Sequence, residues 1–119
     1  MWVFTKVGFV SVVKHDTKDC LLVRARRLDH LRALLVGAKL HTKCITETPQ
    51  ADYRFRVELS PGEFENVLIA AIDDIDYTNF KGAVRDSVYS IALHRIWVDA
   101  ADLQARQYDE LPRVVDGSH

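Results

Sequence analysis

Apolar and polar residues alternate with a period near two along the first half of the chain and with a helical period along the second. Trp2 to Thr5 and Phe9 to His15 are rich in aromatic and β-branched residues. Lys6-Val7-Gly8 between them predicts a hairpin turn in which Gly8 supplies a positive φ. After a polar turn over His15 to Asp19, the segment Cys20 to Arg26 alternates. Leu21, Val23 and Ala25 point one way, and Cys20, Leu22, Arg24 and Arg26 the other. A short helix follows, with Asp29 as its N-cap, Leu31, Leu34 and Leu35 as its apolar stripe and Gly37 at its C-terminal end. A strand near Lys43 to Thr48 stops at Pro49. Asp52 to Leu59 then gives the cleanest alternation, with Tyr53, Phe55, Val57 and Leu59 on one face and Arg54, Arg56 and Glu58 on the other.

Ser60-Pro61-Gly62-Glu63 predicts a helix start, because Ser60 can cap, Pro61 fits the first helical position and Glu63 completes a capping box. Phe64, Val67, Leu68, Ala71, Ile72 and Ile75 keep helical spacing and predict one buried face. The last region carries two apolar stripes. Phe80, Val84, Val88 and Ile91 form one, while Tyr89, Leu93, Ile96, Ala100 and Leu103 form another on nearly the opposite side. One straight helix cannot lay both stripes on a single sheet, so a break or bend is expected near Asp86 to Ser90. The alternative is a continuous helix whose second stripe, Tyr89, Leu93, Ile96 and Ala100, faces a second copy of the chain. After Gln104 the chain turns polar and Pro112 ends any helix.

These elements predict an α+β domain of two layers: an antiparallel-rich sheet of about five strands with helices mainly on one face, built as a ferredoxin-like β-α-β-β unit preceded by a hairpin. Residues 1–105 form the expected domain and 106–119 a polar, frayed tail. At 119 residues, with 48% hydrophobic and 28% charged, the chain has the balance of one globular domain. No apolar run approaches the length of a membrane span. Trp2-Val3-Phe4 follows Met1 without a basic segment or cleavage-like site, so an intracellular, cytoplasmic setting with Cys20 and Cys44 reduced is expected.

Charge changes the picture more than composition does. The net charge is −1, yet residues 1–56 sum to +6 and residues 57–119 to −7. Such a split either draws the two halves together or presents a basic surface to an anionic partner.

Chemistry-bearing motifs are scarce. Asp74-x-Asp76-x-Thr78 starts like a calcium loop, but Asn79 and Arg85 stand where such a loop needs Gly and Glu, so the cluster is read as a helix-joining corner. In that corner Asp76 or Thr78 caps the next helix, and Tyr77 and Phe80 anchor it. His41 and Cys44, with Cys20, lack the paired spacing of a structural zinc site. No metal or cofactor is implied. Phosphate loops, paired cysteines and nucleophile elbows are missing from the sequence, which argues against an enzyme.

Three groups of residues resemble a known set of proteins: Trp2-Val3-Phe4-Thr5-Lys6-x-Gly8-Phe9, then Val23-Arg24-Ala25-Arg26 with Asp52-Tyr53-Arg54-Phe55-Arg56, then Asp76-Tyr77-x-Asn79-Phe80-Lys81. Together they resemble a family of small uncharacterised bacterial and phage proteins over Met1 to about Leu103. The resemblance implies a cytoplasm-like setting and brings no functional residues with it.

The residues themselves offer one constellation. In a β-α-β-β unit the strand at 20–26 lies beside the strand at 53–59. With Val23, Tyr53 and Val57 facing the helices, Arg24, Arg26, Arg54 and Arg56 share the opposite face, a surface suited to carboxylates or phosphates. Glu47, Glu58 and acids of the C-terminal half could neutralise it internally. Otherwise it docks an acidic protein, the leading expectation, or binds nucleic acid, the alternative. The nucleic-acid reading is short of aromatics on that face, with Trp2 or Phe4 as candidates from the first strand and Trp97 or Tyr89 from the last helix. A small enzyme or nucleotide binder would instead need His41 or His94 within reach of the arginines.

Overall fold

A computed structural model describes residues 1–110 of the chain, with side chains through Gln107. The described backbone divides into two compact units, Met1–Phe80 and a second that begins at Lys81. The first holds β1 (Trp2–Thr5), β2 (Gly8–Lys14), β3 (Leu21–Ala25), α1 (Leu28–Gly37), β4 (Thr46–Glu47), β5 (Phe55–Leu59) and α2 (Pro61–Asp73). A single turn, α3 (Phe80–Ala83), leads into the second, which consists mainly of α4 (Ser87–Glu110). No helix among the described residues is long and apolar enough to cross a membrane.

The strands form one sheet in the order β1-β2-β3-β5-β4, every neighbour antiparallel. The fold is α+β, and β3 and β5 lie side by side as the β-α-β-β reading requires. One face of the sheet is buried by α1 and α2. Val10, Val12, Val23, Ala25, Val57 and Leu59 from the strands meet Leu31, Leu34 and Leu35 of α1 and Phe64 and Val67 of α2. Burying each of the larger side chains contributes about 1.5–3 kcal/mol, which makes this layer the main source of stability.

Local chemistry explains most element ends, and in several places it differs from the sequence reading. Ser60 and Glu63 form the expected reciprocal capping box, with Pro61 opening α2. Gly8 needs no positive φ. It is required because a Cβ there would come within 2.6 Å of the His30 Cβ, where α1 crosses the hairpin. The turn is held instead by Thr5, whose hydroxyl accepts from the Val7 and Gly8 amides and donates to the Gly8 carbonyl. His30, buried, accepts the Phe9 amide on Nδ1 at 3.2 Å and ties helix to hairpin.

At α1 the N-cap is Arg27 and not Asp29. Asp29 lies inside the first turn with both carboxylate oxygens 2.9 Å from the Arg27 guanidinium. That hydrogen bonding holds the Asp29 carboxyl below its ordinary pKa. At the other end Lys39, φ 59°, takes the left-handed position that Gly37 was expected to mark. Leu40 donates to the Leu35 carbonyl and Lys39 to that of Val36, closing a Schellman motif around a lysine. The edge strand expected over Lys43 to Thr48 shrinks to Thr46–Glu47, because a turn from Thr42 to Ile45 precedes it and Pro49 follows.

In the second unit the break falls between Ala83 and Ser87, just ahead of the expected position. α4 runs to Glu110, so residues 106–110 of the expected tail are helical, while 111–119 lie outside the described residues. Asp74 and Asp76 both reach the Lys6 ammonium, at 3.7 and 3.1 Å, and Tyr77 packs near Phe80 with ring centroids 5.9 Å apart.

Candidate binding face of the sheet

Residues directly opposed in an antiparallel pair share a face. The register therefore carries one row straight across the sheet, from Trp2 on β1 through Ser11 on β2 and Arg24 on β3 to Arg56 on β5. This row points away from the residues that pack against α1 and α2. Phe4 and Phe9 are opposed on the same side at one end of the row, and Val13, Leu22 and Glu58 lie on it at the other.

Phe4 and Phe9 stack with centroids 4.3 Å apart and planes 8° from parallel, and Trp2 meets them edge-on at 6.4 and 6.0 Å. Trp2 is nevertheless 66% exposed. Tyr53 joins this cluster, 6.2 Å from Phe9. The sequence reading put Tyr53 on the helix side by running the strand back to Asp52. The strand begins at Phe55, and the bend before it turns the buried Tyr53 ring onto the open face. There it lies under two guanidinium groups, Arg24 at 4.6 Å and Arg26 at 4.5 Å from the ring centroid. Each such contact is worth about 0.5–2 kcal/mol and fixes the cation in place.

The four candidate arginines separate into three and one. Arg24 donates to the Ser11 hydroxyl at 2.9 Å, Arg26 to the Asp52 carbonyl at 3.1 Å and Arg56 to the Tyr53 carbonyl at 3.0 Å. All three partners are uncharged, and among the described residues no carboxylate pairs with these arginines. The Nε groups of Arg24 and Arg56 are buried without a hydrogen-bond partner. Arg54 leaves the group and pairs with Glu47 at 2.7 Å. Glu58 is likewise occupied elsewhere, holding the Lys18 ammonium at 2.7 Å and lying 3.5 Å from His15. Internal neutralisation therefore reaches one arginine of the four.

Beyond Arg56 the face sinks into a groove of about 670 Å³. Val13, Leu22 and Val57 contribute its apolar surface, Lys14, His15, Asp16 and Lys18 line the side of the β2–β3 turn, and Thr46 and Cys44 line the β4 side. Lys18 and Glu58 shift each other's pKa apart by hydrogen bonding, Lys18 upward and Glu58 downward, so both stay charged near neutrality. His15 Nδ1 accepts the amides of Thr17 and Lys18, which fixes the turn that walls the groove.

The remaining candidates are placed within their own units. His41 is exposed in the loop before β4, and His94 lies in α4 with Nδ1 2.8 Å from the Ser90 carbonyl. Of the possible oligomer face, Tyr89 and Leu93 are buried, Ile96 is 40% exposed and Ala100 is exposed. Val88 and Ile91, placed on the other stripe, are exposed instead.

Compared with family models, curated proteins and solved structures, the chain matches none. The geometry of the face is therefore what a functional reading has to start from. The sequence reading found its arginines but missed Phe9, Ser11 and Tyr53. The first two were within reach, because a two-residue turn at Lys6-Val7 dictates that Phe4 opposes Phe9 and Trp2 opposes Ser11. Tyr53 gave no such signal, since its alternation with Phe55 and Val57 is perfect.

Proposed function

We propose that the protein is a non-catalytic binding protein and that the open sheet face takes single-stranded nucleic acid. The observation that carries this reading is the join of three carboxylate-free guanidinium groups to an aromatic cluster headed by the exposed Trp2. Single strands are held by that combination, with phosphates on cations and bases stacked on rings. An acidic protein partner, expected first from sequence, accounts for the arginines but gives Trp2, Phe4 and Phe9 no role. The aromatics whose scarcity counted against nucleic acid are present on this face, which reverses the order of the two readings. A whole-chain pI near 6.5 does not oppose it, because the acids of α2 and the segment after it, Glu63, Glu65, Asp73, Asp74 and Asp76, lie outside the arginine row. Cys20 and Cys44 are both free, which suits a reducing compartment.

The test is fluorescence anisotropy with a mixed-sequence single-stranded RNA, the matching DNA and a duplex, over a range of salt. Binding of single strands over duplex is expected, with log Kobs falling against log salt at a slope of about −2 for three phosphate contacts. Arg26→Ala should weaken binding by about tenfold while Arg54→Ala leaves it nearly unchanged. No binding at low salt, with capture of an acidic polypeptide that depends on Arg26, would return the face to protein.

A further inference from the structure

The groove next to Arg56 differs in kind from the rest of the face. Lys14, Lys18 and Arg56 line it, yet so do two carboxylates, Asp16 at the turn and Glu58 on the strand, the latter beside an apolar surface of Val13 and Leu22. A carboxylate repels a phosphate, so the groove is not simply a continuation of the phosphate track. What satisfies it is a flat apolar group that stacks on aliphatic side chains and presents an N–H donor at its edge. A nucleobase with an exocyclic amine has that chemistry, and carboxylates accept from the N4 amine of cytosine.

Resting on the reading of the face as a single-strand site, we propose that the groove is its base-reading pocket, in which Glu58 accepts the exocyclic amine of cytosine and so discriminates against uracil. Lys18 bridges Glu58 at 2.7 and 3.0 Å to its two oxygens, which leaves each oxygen a further lone pair for a base amine. The bridge also fixes the carboxylate's orientation, and it keeps Glu58 ionised and an acceptor only. The Lys18 ammonium, 2.7 Å from Glu58, and the His15 Nε2, 3.5 Å from it, put two nitrogen groups beside the carboxylate, the kind of donor that the N3 and O2 acceptors of cytosine require. Uracil exchanges the amine for a carbonyl oxygen, which would face the carboxylate with two acceptors and no proton between them. The groove's volume of about 670 Å³ leaves room for the base and its sugar. Arg56, which also lines the groove, belongs to the arginine row and links base reading to the phosphate track.

Octamers of cytidine and of uridine compared by anisotropy provide the test, since the two bases share size and stacking geometry. The wild-type protein should bind the cytidine octamer about tenfold more tightly. Glu58→Gln, which keeps shape and presents an amide able to donate to uracil, should abolish or reverse that preference while the summed affinity changes little. Circular dichroism of the variant guards against misfolding, and Lys18→Met gives a second route, freeing the carboxylate's orientation and blunting the preference. Equal binding of both octamers by wild type, or a preference untouched by Glu58→Gln, overturns the pocket while leaving the single-strand site standing. Failure of the protein to bind either octamer at low salt overturns both.

Discussion

The two faces of the sheet use the same strands to opposite ends. On the helix side Val10, Val12, Val23 and Val57 are nearly inaccessible and pack against the leucines of α1 and Phe64 and Val67 of α2. On the open side the intervening residues are Trp2, Phe9, Arg24 and Arg56, with polar atoms left to neutral partners or to none. A period of two thus writes the core and the candidate binding face into alternate positions of one strand. The lesson is that the open face is ordered without being filled. The Tyr53 ring there is covered by two guanidinium groups, while Trp2 remains exposed.

The sharpest way to break this comparison is to exchange a large residue from each face. Leu31→Ala, which removes a side chain 1% exposed against the sheet, should cost about 2–5 kcal/mol in chemical denaturation. Trp2→Ala removes a larger side chain and should cost about 1 kcal/mol or less, because only its edge contacts to Phe4 and Phe9 are lost. It should nevertheless weaken single-strand binding by about tenfold or more. Equal stability losses would mean that the open face is a second core and not a site.

A smaller effect tests the link between the faces. Gly8→Ala drives a methyl into the His30 backbone and side chain, and should cost about 1–3 kcal/mol in thermal or denaturant unfolding. Because the same hairpin aligns Phe4 with Phe9, the variant should also show weaker binding than its remaining folded fraction accounts for. Unaltered stability would show that α1 does not hold the hairpin where it is described.

The smallest expected effect is electrostatic. Glu58's carboxyl is held below its ordinary value of 4.5, first by its hydrogen bond from Lys18. A depressed folded pKa gives stability that is present above the unfolded value and fades as pH falls through the folded one. Wild type should therefore exceed Glu58→Gln in stability near pH 7, with the gap closing in denaturant melts as the pH is taken down below 4.5. A gap that widens in acid would contradict the pairing.

Much of the fold was legible because its signals are local. The capping box of α2 and the alternation over Phe55 to Leu59 need only neighbours in sequence, and both stand as read. Legibility failed where tertiary context chose between local options. Lys39 occupies the left-handed position in place of Gly37, and Asp29 is drawn to Arg27 instead of capping. Arg54, in phase with Arg56, is diverted by Glu47 on a strand of two residues. The site was half legible for the same reason. Its arginines follow from period, while Tyr53 reaches it through a bend that periodicity does not report, and the groove depends on where the turn over His15 to Lys18 closes.

The most direct measurement is an amide and side-chain NMR titration of the labelled protein with a mixed-sequence single-stranded RNA. Shifts concentrated at Trp2, Phe9, Ser11, Tyr53 and the guanidinium groups of Arg24 and Arg56, with α2 silent, are the result expected of a sheet face that binds single strands. Shifts confined to α2 or α4, or none at saturating RNA and low salt, would contradict it.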